Sequence, residues 1–287
     1  MFTCLFILLQ EHYYQLNLND QIVANSNLLI QLFIQNQILS TEQYWESQIL
    51  NHYRELAKCQ NNYFELKNQL RIKSSEEMVE WIDDFTKKRK VSTVPKNNGG
   101  YEIRIFESPL ELEKALKEKA ADENHKLSRL IATYDWEYSS KPPADARLQK
   151  YWEVMIGHWH KPWNRELDRE LGKKEKRANK SLSWAEQPQT IEEIGSTFTI
   201  QGFDLNYAGV ILGPSVKYRN GEVIFDPSAS YNAKAVRNRT LSDGSKQKFG
   251  EELIQHEVRV LMTRGVEGLY IYACDDALRE ALLQAMR

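Results

Sequence analysis

The sequence predicts an α/β fold built on a mostly parallel sheet flanked by helices. Apolar runs of strand length recur along the chain (LLIQLFI, LSRLIATY, AGVILG, GLYIYA). Segments with apolar residues at helical spacing stand between them, and the two kinds alternate instead of segregating into blocks. The 287 residues suffice for one large or two modest domains, and 41% hydrophobic residues can build real cores. With 38 Lys and Arg against 40 Asp and Glu, the net charge of −2 excludes a polybasic coating protein. Cys4, Cys59 and Cys274 are odd in number and far apart. They fit neither a disulfide framework nor a zinc site and predict a reducing, cytoplasmic location. No apolar run reaches the ~20 residues of a membrane span.

Taken in order, MFTCLFILLQ has no basic residue before it and no small-residue cleavage site after it, so it reads as a buried strand and not as a targeting segment. LLIQLFI is a second strand. It leads into a helix capped by Ser40 or Thr41, with Tyr44, Trp45, Ile49, Tyr53 and Leu56 on its apolar face. In SSEEMVEWIDDFTKKRK, Ser74 or Ser75 precedes acidic residues, and Met78, Val79, Ile82 and Phe85 follow at helical spacing. NNGG turns the chain into the alternating strand YEIRIF. ESPLELEKALKEKAADENHKL reads as a helix with Pro109 in its first turn, and LSRLIATYDWEY as a buried strand with a polar exit. From Ser139 to about Ser183 the periodicity weakens and Trp, Pro, Lys and Arg accumulate, which marks an insert. Its KPWNRELDRELGKKEKRANK stretch carries eight basic residues against four acidic. A helix around Thr190 to Glu193, the strand AGVILG, a hairpin KYRNGEVIF with an Asn-Gly turn, a helix from about Gly250 to Thr263, the strand GLYIYA and a short final helix complete the order.

Two segments suit phosphate chemistry. In STFTIQGFDLNYAGVILGP, a polar loop with Thr197, Thr199, Gln201 and Gly202 precedes Asp204 and an apolar strand. Gly202 frees the backbone to turn where a Cβ would obstruct, and hydroxyls and N–H groups suit phosphate or sugar. In LMTRGVEGLYIYA, Thr263 and Arg264 end a helix just before a buried strand. An Arg there can reach a phosphate lodged between domains or, alternatively, cap helix carbonyls. GHWHKPW holds an H-x-H pair, His158 and His160, for which His125, His256 or Asp135 would have to supply further metal ligands; two polar rings in a surface loop is the favoured reading. His160, Lys161 and Trp163 fit a stacking and phosphate-contact platform for single-stranded nucleic acid, although a basic run is also commonly a solvated face. Trp136, Trp152 and Trp184 read as core.

TFTIQGFDLNYAGVILGP followed by VLMTRGVEGLYIY resembles motifs V and VI of superfamily-one helicases. With YDWEY, GHWHKPWN, LSWAEQPQTIEEIGSTFTIQGFDLNYAGV and RTLSDGSKQKFGEEL, the chain more closely resembles the bacterial helicase-like P-loop NTPase family described as the Schlafen group three DNA/RNA helicase domain. The resemblance implies a RecA-like second lobe over residues 59–287, with the insert at about 139–183, preceded over residues 1–58 by a remnant of the first RecA-like lobe carrying motif III. It makes Arg264 the arginine finger and assigns Thr263, Gln201, Gly202 and Asp204 to the nucleotide, and Thr197 and Thr199 to nucleic acid. LKNQLR resembles motif IV, so that Arg71 would face the γ-phosphate. LFIQNQIL resembles motif III, with Gln37 coupling nucleotide to nucleic acid, although Gln35 and Asn36 stand where the family usually has carboxylates.

The family's cofactors are ATP and Mg²⁺, yet no Gly here precedes Lys-Ser or Lys-Thr as a P-loop requires, and no apolar strand ends in Asp-Glu. The expectation is a second lobe that does not hydrolyse or tightly hold ATP alone, works on DNA or RNA with a first ATPase lobe supplied from elsewhere, has no metal site of its own and does not engage a membrane. The alternatives are a non-catalytic nucleic-acid or protein binding module and a degenerate fragment.

Overall fold

The computed structural model describes residues 58–59, 72–96, 98–144, 149–240 and 244–287. The strands and helix expected within residues 1–57 lie outside the described residues, as do Gln37 and Arg71.

Helix α1, Glu76–Thr86, is capped by Ser75, whose side chain accepts from the Met78 N–H. Met78, Ile82 and Phe85 are buried as their spacing predicts, and so is Trp81, whose indole donates to the Ser92 carbonyl at 2.8 Å. Strand β1, Glu102–Ile105, leads to α2, Pro109–Ala120, where the Ser108 hydroxyl accepts from Glu111 N–H and Pro109 stands in the first turn. Strand β2 is Arg129–Ala132. The remaining core elements are β5, Leu205–Leu212; α5, Gly250–Met262; β10, Gly265–Ala273; and α6, Asp276–Ala285.

β1, β10, β5 and β2 form one four-stranded sheet in that order, all parallel. Its period of two divides the side chains cleanly. Ala208, Val210 and Leu212 of β5, with Leu269, Ile271 and Ala273 of β10, face the core made with α1, α5 and α6. Tyr207 and Ile211, with Tyr270 and Tyr272, face the core made with α2. Gly209 lies on the α2 face, where a Cβ would come within 2.9 Å of Leu130 and 3.0 Å of Leu116. Its bare backbone lets α2 approach the sheet.

The predicted hairpin is β6, Val216–Arg219, and β7, Glu222–Phe225, with both turn residues at positive φ: Asn220 at 54° and Gly221 at 85°. Short α4, Ala233–Val236, and the two-residue pair β8, Arg239–Thr240, and β9, Lys246–Gln247, precede α5. The expected helix at Thr190 to Glu193 is a 3₁₀ turn, Pro188–Glu192.

The insert is more ordered than its pattern predicts. It contains a hairpin of β3, Glu153–Ile156, and β4, Trp159–Pro162, turning through Gly157 at φ 58°, then the short basic helix α3, Lys173–Ala178. The hairpin is joined to the main sheet by two parallel bridges, Trp163 to Ile194 and Ile131 to Gly195. Past that joint Asn164 and Arg165 take left-handed conformations, and buried Glu193 satisfies the exposed backbone there, accepting from Arg165 and Leu167 N–H and from the Trp184 indole, each at 2.8 Å. Trp184 is core as expected, and Trp136 and Trp152 pack partly buried against the α2-side core. None of the described helices is long and apolar enough to cross a membrane.

Candidate functional site

Parallel strands put like ends together, so the loops entering β5 and β10 must meet at one edge of the sheet. Leu205 N–H donates to the Arg264 carbonyl at 2.9 Å, and Lys73 N–H donates to the Val266 carbonyl at 2.8 Å. Three segments distant in sequence, 72–73, 201–205 and 263–266, therefore converge at the N-terminal edge. Tyr101 ties the same place from the start of β1, its hydroxyl donating to the Gly265 carbonyl at 3.1 Å.

Within this convergence Arg264 is nearly buried, its Nη1 donating to the Phe203 carbonyl at 3.2 Å and lying 3.9 Å from Asp204 Oδ1. The guanidinium is thus folded onto the loop before β5. Gln201 and Gly202 are exposed beside it. Gly202 has φ 87°, but nothing lies within 4 Å of a Cβ built there. Its requirement is conformational, which corrects the expectation of steric obstruction. Thr263 also departs from expectation: its hydroxyl donates to the Arg259 carbonyl at 2.8 Å and closes the end of α5 instead of facing out.

The loop 196–204 crosses from one edge of the sheet to the other. Ser196 and Thr197 lie at the C-terminal end of β2, because Gly195 pairs in parallel with Ile131. Thr199 is occupied locally, its hydroxyl accepting from Ser196 N–H at 2.8 Å and donating to the Ser196 carbonyl. Thr197 is buried against Glu257 of α5 without a well-formed hydrogen bond. Neither hydroxyl is presented to solvent as a nucleic-acid contact in this conformation. Phe198 between them is 48% exposed and stands edge-on to Tyr134 at 5.3 Å.

At this C-terminal edge two carboxyls are buried together. Glu257 Oε1 accepts from Tyr134 N–H at 3.0 Å, and Asp135 Oδ2 accepts from Ser215 N–H and the Thr133 hydroxyl. Burial, then the neighbouring Asp135 charge, pushes Glu257 up to about 8. Burial likewise raises Asp135. Sequence reasoning missed Glu257, whose only signal is an acidic residue on the apolar stripe of α5.

The platform expected in the insert is corrected. Trp163 is fully buried, 5.1 Å from Tyr134 and 6.3 Å from Trp136 between ring centres, so no face remains for a base. Lys161 is held by Glu113 at 2.7 Å and Glu192 at 3.0 Å, in a cluster that Lys117 completes. Burial would raise Glu113, but hydrogen bonds from Lys161, Lys117 and Trp159 bring it below the usual carboxylate range. His160 is exposed and pairs with Glu153 at 3.0 Å. No group of three or more His, Cys, Asp or Glu among the described residues could hold a metal ion. A run of exposed cations lies instead on α3, at Lys173, Lys174, Lys176 and Arg177.

The N-terminal edge offers a basic side chain and an open turn. Arg264 with the open turn at Gly202 suits a phosphate, whereas a carboxylate set for Mg²⁺ is lacking there among the described residues.

A family model described as "Schlafen group 3, DNA/RNA helicase domain" matches residues 8–275. The chain is 29% identical over 301 aligned residues to "Uncharacterized protein YPL245W" of Saccharomyces cerevisiae, covering 96% of this chain and 61% of that one. The chain thus spans about three fifths of that relative's length, and the relative, being fungal, lends no support to a bacterial attribution. No solved structure matches.

Proposed function

The chain belongs to the Schlafen group 3 DNA/RNA helicase domain family, and on that premise we propose that it is the second RecA-like lobe of a superfamily-one-like helicase or ATPase. In this reading the lobe begins near residue 59, and the N-terminal edge of its sheet meets ATP whose β- and γ-phosphates are held by a P-loop outside these 287 residues. The observation that carries the reading is the convergence of segments 72–73, 201–205 and 263–266 around Arg264 at one edge.

Mechanistically, Arg264 supplies positive charge to the γ-phosphate as its bond breaks, a role worth about 10³ to 10⁵ in rate for arginine fingers. To do so it leaves the Phe203 carbonyl and Asp204. A 3.9 Å contact to Asp204 is loose enough for an incoming phosphate to displace. Gln201 and the Gly202 turn offer an amide and backbone to the same phosphate. Bound Mg²⁺ would neutralise phosphate charge through ligands of the first lobe. Arg71 and Gln37 are proposed for γ-phosphate contact and for coupling. Nucleic acid, DNA or RNA, is proposed to run past exposed Phe198 and the cations of α3.

Those α3 cations also favour a second reading, a nucleic-acid binding module that works without ATP. Hydrogen exchange separates the two. In the full-length protein or complex that supplies a P-loop, a non-hydrolysable ATP analogue should protect segments 72–73, 201–205 and 263–266. Protection confined to 133–135 and 213–215, at the opposite edge, would overturn the placement, and absence of any protection would favour the ATP-independent module.

A further inference from the structure

Arg129 opens β2 and is 5% exposed, yet among the described residues no carboxylate pairs with it. Its Nε donates to the Thr190 hydroxyl, and Nη1 donates to the carbonyls of Lys126 and Ser128, all at 2.8 Å. These acceptors are neutral, and Nη2 has no hydrogen-bond partner among the described residues. Taking a guanidinium out of water without a counter-charge is costly, and burial pulls Arg129 down to about 10.

The same residue lines a surface cavity of about 480 Å³, whose other walls include Ala120, Leu127, Ala185, Pro188 and Ile191. That volume lies in the range of small-molecule sites. The two other charged residues of the lining are already engaged: Lys126 pairs with Glu123, and the Glu186 carboxylate accepts from Ser183 N–H at 2.7 Å. Arg129 is thus the one buried charge of the lining, with Lys126 and Glu186 exposed at its rim. The cavity neighbours the start of β5, because Leu127 N–H donates to Asn206 Oδ1 at 3.1 Å. It nevertheless shares no lining residue with the convergence around Arg264.

We propose that this cavity binds a small organic anion, its carboxylate or phosphate group on Arg129 Nη2 and its apolar body against Ala120, Leu127, Pro188 and Ile191. An oxyanion supplies the missing counter-charge, and the apolar walls contribute only to ligands that carry a hydrocarbon or aromatic part. A bare phosphate therefore binds more weakly than an aryl ester of phosphate.

Calorimetric titration of the chain with phenyl phosphate, benzoate and orthophosphate at constant ionic strength tests this. Saturable binding of phenyl phosphate or benzoate is expected, with orthophosphate weaker by about tenfold or more. The better of the two aryl probes assigns the natural anion as phosphate or carboxylate. Ala120→Trp fills the cavity from the end of α2 and leaves Arg129 in place, so it should abolish binding with the circular dichroism spectrum unchanged. Arg129→Lys keeps the charge but loses the planar fork and should weaken binding by about tenfold. Lack of saturable binding by both aryl probes, or equal binding by the folded Ala120→Trp protein, would overturn the proposal.

Discussion

Replacing Glu257 by Gln should remove a pH dependence of stability worth about 5 kcal/mol. Glu257 is completely buried on α5, accepts from Tyr134 N–H at 3.0 Å and lies near the buried Asp135 carboxylate. Burial first and Asp135 second raise it from an ordinary 4.5 to about 8. Over that window the folded state keeps the proton and the unfolded state releases it. The folded state binds more protons, so stability is fully present below the lower value and is lost as pH rises toward the upper one. Each pH unit removes about 1.4 kcal/mol. The loss is about 5 kcal/mol across the window, comparable to the whole stability of a marginal domain, about 5–15 kcal/mol. Gln keeps an acceptor for Tyr134 N–H and cannot ionise. Urea unfolding of the native and Glu257→Gln proteins at about pH 5 and about pH 8 reads the difference directly, because carboxyls elsewhere cancel in the comparison. The variant should gain on the native protein by several kcal/mol as pH rises. Parallel pH profiles would refute the reasoning, showing that Glu257 is ionised in the folded state throughout.

Trp163→Ala should cost about 3–5 kcal/mol, read from denaturant unfolding, because the ring joins the insert to the sheet; an unchanged transition midpoint together with abolished nucleic-acid binding would restore it as a stacking residue. Replacing Lys173, Lys174, Lys176 and Arg177 together by Gln should leave stability within about 0.5 kcal/mol, since α3 is exposed. The same change should flatten the salt dependence of single-strand binding by about 0.7 in slope for each phosphate that α3 no longer neutralises. Fluorescence anisotropy across a salt series checks this, and an unaltered slope would remove α3 from the interface.

Much of the fold was legible because it obeys simple periods. Alternation along YEIRIF, the continuous apolar runs AGVILG and GLYIYA, a cap at Ser74 or Ser75, Pro109 in a first turn and the Asn220-Gly221 turn each follow from local chemistry, and tertiary packing agrees with them. The hairpin of β3 and β4 was not legible. Its strands are only four residues long, β4 is Trp-His-Lys-Pro, and its place is decided by single bridges, Trp163 to Ile194 and then Gly195 to Ile131. For the same reason Trp163, flanked by Lys161 and His160, reads as surface until the bridge to Ile194 buries it. Glu193 is comparable: a buried carboxylate becomes tolerable only once the left-handed turn at Asn164 and Arg165 brings the Arg165 and Leu167 N–H groups onto it. At the candidate site the sequence places Arg264 between a helix and a strand, but not its inward fold onto Phe203. Nor does it show that Thr197 and Asp204, seven residues apart, sit at opposite edges. Arg129 had no local signal, since a charged residue opening an apolar strand is ordinarily solvated.

The central claim is that Arg264 serves a nucleotide presented to the N-terminal edge of this sheet. The most direct measurement is single-turnover ATP hydrolysis by the full-length protein or complex that supplies the P-loop, comparing Arg264 with Arg264→Ala and determining nucleotide affinity in parallel. A fall in rate of about 10³-fold or more, with affinity changed far less, is the predicted result. Hydrolysis by Arg264→Ala at the native rate would contradict the account and leave Arg264 as a brace between the two loops.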